Sequence, residues 1–297
     1  MQISSSPHIK TRIKKNNIMA LVLTALLPVV IASVYFFGLE ALLLIITSVT
    51  TSWITDIVMQ KLTKNKQGLL NLSSILTGLL LALVLPPTAP LWIAATGSFI
   101  AVSVGKYAFG IGNSIFNPAL LGRAFLVISW PNLMSSWITP DGVTKATPLA
   151  NETITESNFQ LFIGNVGGCL GETSAAAVLI GGLFLIYTRI IDWKIPTIYI
   201  GSVVFLSGLA GGDPLKQFMA GGLLLGAFFM ATDYVTSPLT NKGKIYFALG
   251  CGILTFLFRF YSTMPEGVMY SILLMNALTP LIDKITTPKP FGYNEKT

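Results

Sequence analysis

Apolar residues recur along this chain in blocks far longer than a soluble core helix needs, and polar residues gather in the gaps between them. A bilayer core of about 30 Å is crossed by roughly 20 apolar residues in helical form. Ten blocks meet or approach that length, near residues 18–37, 40–60, 69–86, 90–109, 115–131, 173–190, 195–210, 217–233, 245–261 and 265–283. The third and fifth are short for simple crossings. Pro86 and Pro87 close the third, and Pro118 opens the fifth, where a missing N–H costs least. The pattern predicts an all-α polytopic membrane protein with about ten transmembrane helices. It divides into a basic tail (1–17), a first membrane half (18–131), one long polar loop (132–172), a second membrane half (173–283) and a short tail (284–297).

Two stretches echo one another. "FNPALLGRAF" (116–125) lies in the fifth block and "MNALTPLID" (275–283) closes the tenth. Halves of five crossings each must run in opposite senses, so the echo predicts two inverted five-helix repeats, an arrangement common in transport folds.

Composition strengthens the membrane reading. Only 10% of residues are charged, against about 25% in an average soluble domain. A net charge of +7 in a soluble protein would suggest nucleic acid, but no basic stripe is interleaved with aromatics here. The basic residues instead orient the helices. With the N-terminal tail inside, fifteen of the nineteen Lys and Arg fall on the inner side. That bias predicts cytoplasmic termini and an extracytoplasmic loop 132–172. His8 is the only histidine, and Cys169 and Cys251 have no histidine near them in sequence. Histidine catalysis and zinc chemistry are therefore excluded as main functions. Neither a Gly-x-Ser-x-Gly elbow nor a phosphate-cradling P-loop occurs.

Charges inside apolar blocks are costly and usually functional. Asp56, Lys106 and Arg259 lie close enough to block ends to read as snorkelling side chains. Arg123 follows Gly122 well inside a block. It either meets an anionic cofactor or caps a broken helix. Asp213 in "GGDPL" and Asp233 in "ATDYVTSPLT" are candidates for an ion path, or helix caps beside Pro214 and Pro238.

The long loop carries "DGVTKATPL" (141–149). Its run Asp-x-x-(Ser/Thr)-x-Ala-Thr resembles the acceptor sequence of flavin transferases, which join FMN to a threonine hydroxyl as a phosphoester. A free hydroxyl is a poor nucleophile and needs such an enzyme to activate it. On this resemblance Thr147 is the acceptor, and Asp141, Thr144 and Ala146 are its recognition positions. Lys145 departs from what relatives often carry. With "SILTGLLLALVLPP" (74–87), "FNPALLGRAF", "GETSA" (171–175), "GGDPL" and "ATDYVTSPLT" in order, nearly the whole chain resembles one family of membrane proteins. Its members are the D subunits of Rnf complexes and the B subunits of Na⁺-translocating NADH:quinone reductases.

The resemblance implies a component of an ion-translocating ferredoxin:NAD⁺ oxidoreductase in the bacterial cell membrane, coupled to Na⁺ or H⁺ transport and not catalytic alone. It implies covalent FMN on Thr147 as an electron relay and a non-covalent riboflavin elsewhere. The implied partners are the other Rnf subunits (A, B, C, E and G), a flavin transferase and membrane lipid. A small-solute channel or permease of inverted-repeat fold is the alternative, since fold does not dictate function. Such a protein has no use for a flavin acceptor.

Overall fold

The computed structural model describes residues 15–64, 71–109, 114–137, 158–164, 166–220, 222–262 and 267–288. Every regular element among them is helical. The first, α1 (Lys15–Leu62), contains 48 residues and would measure about 72 Å if straight. Yet Ile18 and Asp56, near its two ends, line one cavity. The chain therefore turns back on itself at Gly38, whose φ of 66° and ψ of −143° are not helical. Glycine is suited to that backbone because it has no Cβ to clash. The turn falls between the first two apolar blocks of the sequence.

Beyond α1 come α2 (Leu72–Leu83), α3 (Leu91–Val102) and a π-helical extension of α3 over Ser103–Ala108. The first half closes with α4 (Pro118–Ser129) and the short α5 (Pro131–Met134). Then follow α6 (Asn158–Ile163), α7 (Ala175–Tyr187), α8 (Lys194–Leu209) and α9 (Pro214–Met219). The single turn α10 (Leu223–Leu225) passes into a π-helix over Gly226–Met230. Last are α11 (Asn241–Tyr261) and α12 (Gly267–Thr286).

Among the described residues four helical stretches are long and apolar enough to cross a membrane: Asn16–Leu62, Leu91–Ala108, Asn241–Tyr261 and Gly267–Thr286. Shorter apolar helices, α2, α4, α7 and α8, pack with them. The block expected as one helix over 217–233 is instead broken. α9 ends at Met219, and Gly222, at φ 68°, precedes α10.

Large apolar side chains are exposed on the perimeter, as at Ile31, Tyr35 and Leu39 of α1 and Phe205 and Leu209 of α8. Many polar ones are buried, among them Ser48, Ser52, Asp56, Asn117 and Asn276. This inversion suits hydrocarbon, where helix association depends on close packing and hydrogen bonds more than on apolar burial. Gly181 illustrates the packing. A Cβ there would collide with the Ala25 carbonyl, so α7 lies directly on the backbone of α1.

Two non-helical segments meet inside the bundle. Pro86 and Pro87 terminate α2, and residues 84–87 are buried. The N–H of Gly171 donates to Leu83 O at 2.7 Å, and that of Leu170 to Leu85 O at 3.1 Å. Irregular backbone in a membrane protein must be satisfied by other protein groups. These two segments satisfy each other.

Candidate functional site

A cavity of about 1080 Å³, including its mouth, opens where both ends of α1, the start of α2, the π-helical end of α3 and the start of α4 converge. Its apolar walls include Leu76, Leu80, Leu185, Phe228 and Phe229. Its polar lining includes Asp56, Asn71, Lys106 and Asp233. Asp56 is only 1% exposed. Tyr107 Oη donates to its Oδ1 at 2.8 Å, while Gln60 Nε2 and Asn71 Nδ2 donate to its Oδ2 at 2.7 and 3.2 Å. Three neutral donors thus hold a buried carboxylate that no described salt bridge neutralises. Lys106 donates to Ser74 Oγ at 3.1 Å. Asp233, also in the lining, accepts the Val235 N–H at 3.4 Å.

Lys61 lies in the last turn of α1, and Lys194 opens α8 after the turn that carries Arg189. In the same turn, Asp192 accepts from Lys244 Nζ at 3.1 Å and from the Lys194 N–H at 3.2 Å. Burial alone would raise the Asp192 carboxyl. The N–H bond and the nearby ammonium groups outweigh it and hold the group below the usual carboxylate range.

Away from the cavity, Arg123 and Glu172 form an ion pair at 3.5 Å, with side-chain exposures of 5% and 8%. Arg123 Nη2 also donates to Cys169 Sγ at 3.2 Å, and that thiol donates to Val84 O at 3.2 Å. The Glu172 carboxylate lies against Gly222, where any Cβ would overlap it. Arg259 holds the other side of the same break, donating to Gln217 O, Gln217 Oε1 and Ala220 O at 2.8–3.0 Å. Arg259 therefore anchors the chain at residues 217 and 220, while Glu172, paired with Arg123, lies against Gly222.

The two echoed sequences also touch. The Asn117 N–H donates to Asn276 Oδ1 at 3.1 Å, and Asn117 Nδ2 donates to Met230 O at 3.2 Å. Asn117 Oδ1 caps α4 through the N–H of Ala119 at 3.1 Å. Asn276 Nδ2 continues to Thr236 O at 3.1 Å.

Comparison with known proteins adds the decisive observation. The sequence model of the NQR2, RnfD, RnfE family matches residues 2–292. The chain belongs to that family. It is 47% identical to the D subunit of the Na⁺-translocating ferredoxin:NAD⁺ oxidoreductase complex of Acetobacterium woodii, covering 99% of this chain and 96% of that protein. It is 44% identical to the D subunit of the proton-translocating ferredoxin:NAD⁺ oxidoreductase complex of Clostridium ljungdahlii, over 98% and 96%. The D subunit of the ion-translocating oxidoreductase complex of Methanosarcina acetivorans is 39% identical over 98% and 96%. With its apolar helices, this member of the NQR2, RnfD, RnfE family is a multi-pass membrane protein.

In this family member the residues singled out from sequence fall in different places. Asp141, Thr144, Ala146 and Thr147 lie outside the described residues. Arg123 pairs with Glu172. Asp213 is exposed and caps α9 through the N–H groups of Leu215 and Lys216, at 3.0 and 3.4 Å. Asp233 lines the cavity. Asp56 and Lys106 both line that cavity. Sequence reasoning missed Asn71, Tyr107, Asn117 and Asn276. The repeated Asn in the two echoes was the available signal for the last two.

Proposed function

We propose that this chain is the D-type membrane component of an ion-translocating ferredoxin:NAD⁺ oxidoreductase of the Rnf type. The observation that carries the proposal is near-complete coverage, at 47% and 44% identity, of two proteins named as the D subunits of such complexes. One is named for Na⁺ and the other for protons. Likeness at this level therefore does not choose the ion.

In this reading FMN is joined to Thr147 through a phosphoester placed by a flavin transferase, with Asp141, Thr144 and Ala146 as recognition positions. The flavin supplies the redox chemistry; the chain supplies position and electrostatics. A second, non-covalent flavin, riboflavin, occupies the cavity. Its apolar walls suit a flat ring, and Asn71, Ser73, Thr77 and Thr232 offer hydrogen bonds to a hydroxylated chain. Among the described lining residues two carboxylates, Asp56 and Asp233, accompany one ammonium, Lys106, which favours a flavin without phosphate over one carrying it. Asp233 stands on the ion path from the same cavity.

The chain makes ten crossings in two inverted halves, with cytoplasmic termini and an extracytoplasmic Thr147 loop. Successive helices present alternate ends to the cavity, and Lys106 in its lining is one of the basic residues that the charge bias puts on the inner side. The protein works with the A, B, C, E and G components of the complex in the lipid bilayer.

The experiment is mass spectrometry of the peptide spanning 141–151, from cells with an active flavin transferase. An added mass of FMN less water is expected, lost in Thr147→Ala. A peptide of unmodified mass overturns the covalent relay.

A further inference from the structure

π-Helical turns are rare and recur at functional sites. The one that extends α3, Ser103–Ala108, is tied by three successive residues to three other helices. Gly105 lies on the start of α4, where a Cβ would stand 2.9 Å from Pro118 Cα. Lys106 Nζ donates to Ser74 Oγ of α2 at 3.1 Å. Tyr107 Oη donates to Asp56 Oδ1 of α1 at 2.8 Å. Asp56 is itself held by Gln60 and Asn71, so the tyrosine is tied to a fixed point.

Lys106 therefore stands between two anchored neighbours, and it lines the cavity together with apolar residues such as Leu76, Leu80 and Phe229. A charge among membrane helices is expensive and by default functional. Asp233, in the same lining, carries the opposite charge. The potential of a flavin depends on the charges near its ring. Reduction adds electrons, so a fixed cation favours the reduced form and a fixed anion the oxidised one. Between apolar walls such an effect is screened far less than in water.

We propose that Lys106 tunes the redox potential of the flavin held in this cavity by favouring its reduced form, and that Tyr107, bonded to Asp56, positions it. The inference rests on riboflavin occupying the cavity, as proposed above. Lys106 acts as a fixed positive charge and transfers neither electron nor proton. Asp233 opposes it, so the two side chains pull the potential in opposite directions. Tyr107 is a positioning residue: its bond to Asp56 fixes the turn from which the lysine projects.

The test is anaerobic equilibrium dialysis of radiolabelled riboflavin against the purified full-length chain, once with the ligand oxidised and once with it reduced by dithionite. The ratio of the two dissociation constants measures how far the site shifts the potential. Lys106→Met should weaken binding of the reduced form about tenfold relative to the oxidised form, and Lys106→Arg should keep the wild-type ratio. Asp233→Asn should move the ratio the other way. Tyr107→Phe should move it in the Lys106→Met direction, by less. Lys106→Gln serves in place of Lys106→Met if that chain does not stay monodisperse. No binding of either form to wild type overturns the cavity reading and this inference together. Wild-type binding, with both forms weakened equally or not at all in Lys106→Met, overturns the inference alone. So does a shift of the same sign from Lys106→Met and Asp233→Asn. A wild-type ratio in Tyr107→Phe overturns the positioning role of the tyrosine.

Discussion

Arg123 and Glu172 are charged groups held away from water, and neither has an inexpensive alternative if the other is removed. Breaking a buried pair by truncating one partner typically costs about 3–5 kcal/mol, because the remaining charge stays buried. Arg123→Ala should therefore lower the melting temperature of the detergent-solubilised complex sharply, and Glu172→Ala likewise. Arg123→Met with Glu172→Leu should recover much of the loss, as followed by thermal unfolding of a fluorescent fusion. A double variant as unstable as the two losses added would show that each residue anchors its segment independently. The cavity makes a different demand at the same scale. On the proposed reading, the two carboxylates and one lysine among its described lining residues lead to the expectation that acid extraction of the purified chain releases riboflavin; release of FMN would contradict that charge balance. Asp56 shows why such a residue was hard to read from sequence. Its place near the end of an apolar block looked like access to water, while two of the three donors that hold it come from positions 71 and 107, 15 and 51 residues away.

Helices are the scale at which the sequence was most informative. The block boundaries at 37 and 40 bracket the turn at Gly38, and Pro86, Pro87 and Pro118 mark helix ends that the structure contains. The break at 220–222 was not legible, because an apolar count does not register a backbone interrupted by contacts from elsewhere. Those contacts come from Arg259 and Glu172, on α11 and just before α7. Close packing of whole helices was legible only as glycine abundance. Gly181 gives that abundance a location, since its missing Cβ lets α7 meet the Ala25 carbonyl. Adding a methyl must push the two helices apart, a type of overpacking that costs about 1–3 kcal/mol. Gly181→Ala should lower the unfolding temperature measurably. Gly201→Ala, at a position with open space around it, should leave it unchanged. Equal effects from the two would remove the close approach as the cause.

For the whole molecule, the orientation of the two faces is the property most open to direct measurement. Cysteine substitutions at Ser136 and Lys242, neither of which is buried, can be labelled in intact cells with an impermeant maleimide. Label at Ser136→Cys alone is expected if the cavity faces the cytoplasm; label at Lys242→Cys alone would invert the proposed topology. The two native cysteines are buried and should contribute little background. The pairing of the Leu83 and Leu85 carbonyls with residues 170–171 also bears on how the protein is made. A ribosome that has delivered α1 to α4 into the bilayer has not yet supplied the stretch of chain that completes the end of α2. The early product must wait, with those carbonyls shielded by water, lipid headgroups or an insertion factor, until residues 170–171 have been synthesised. A message truncated after the first half would therefore yield a fragment recognised by quality-control proteases rather than an independent half-protein.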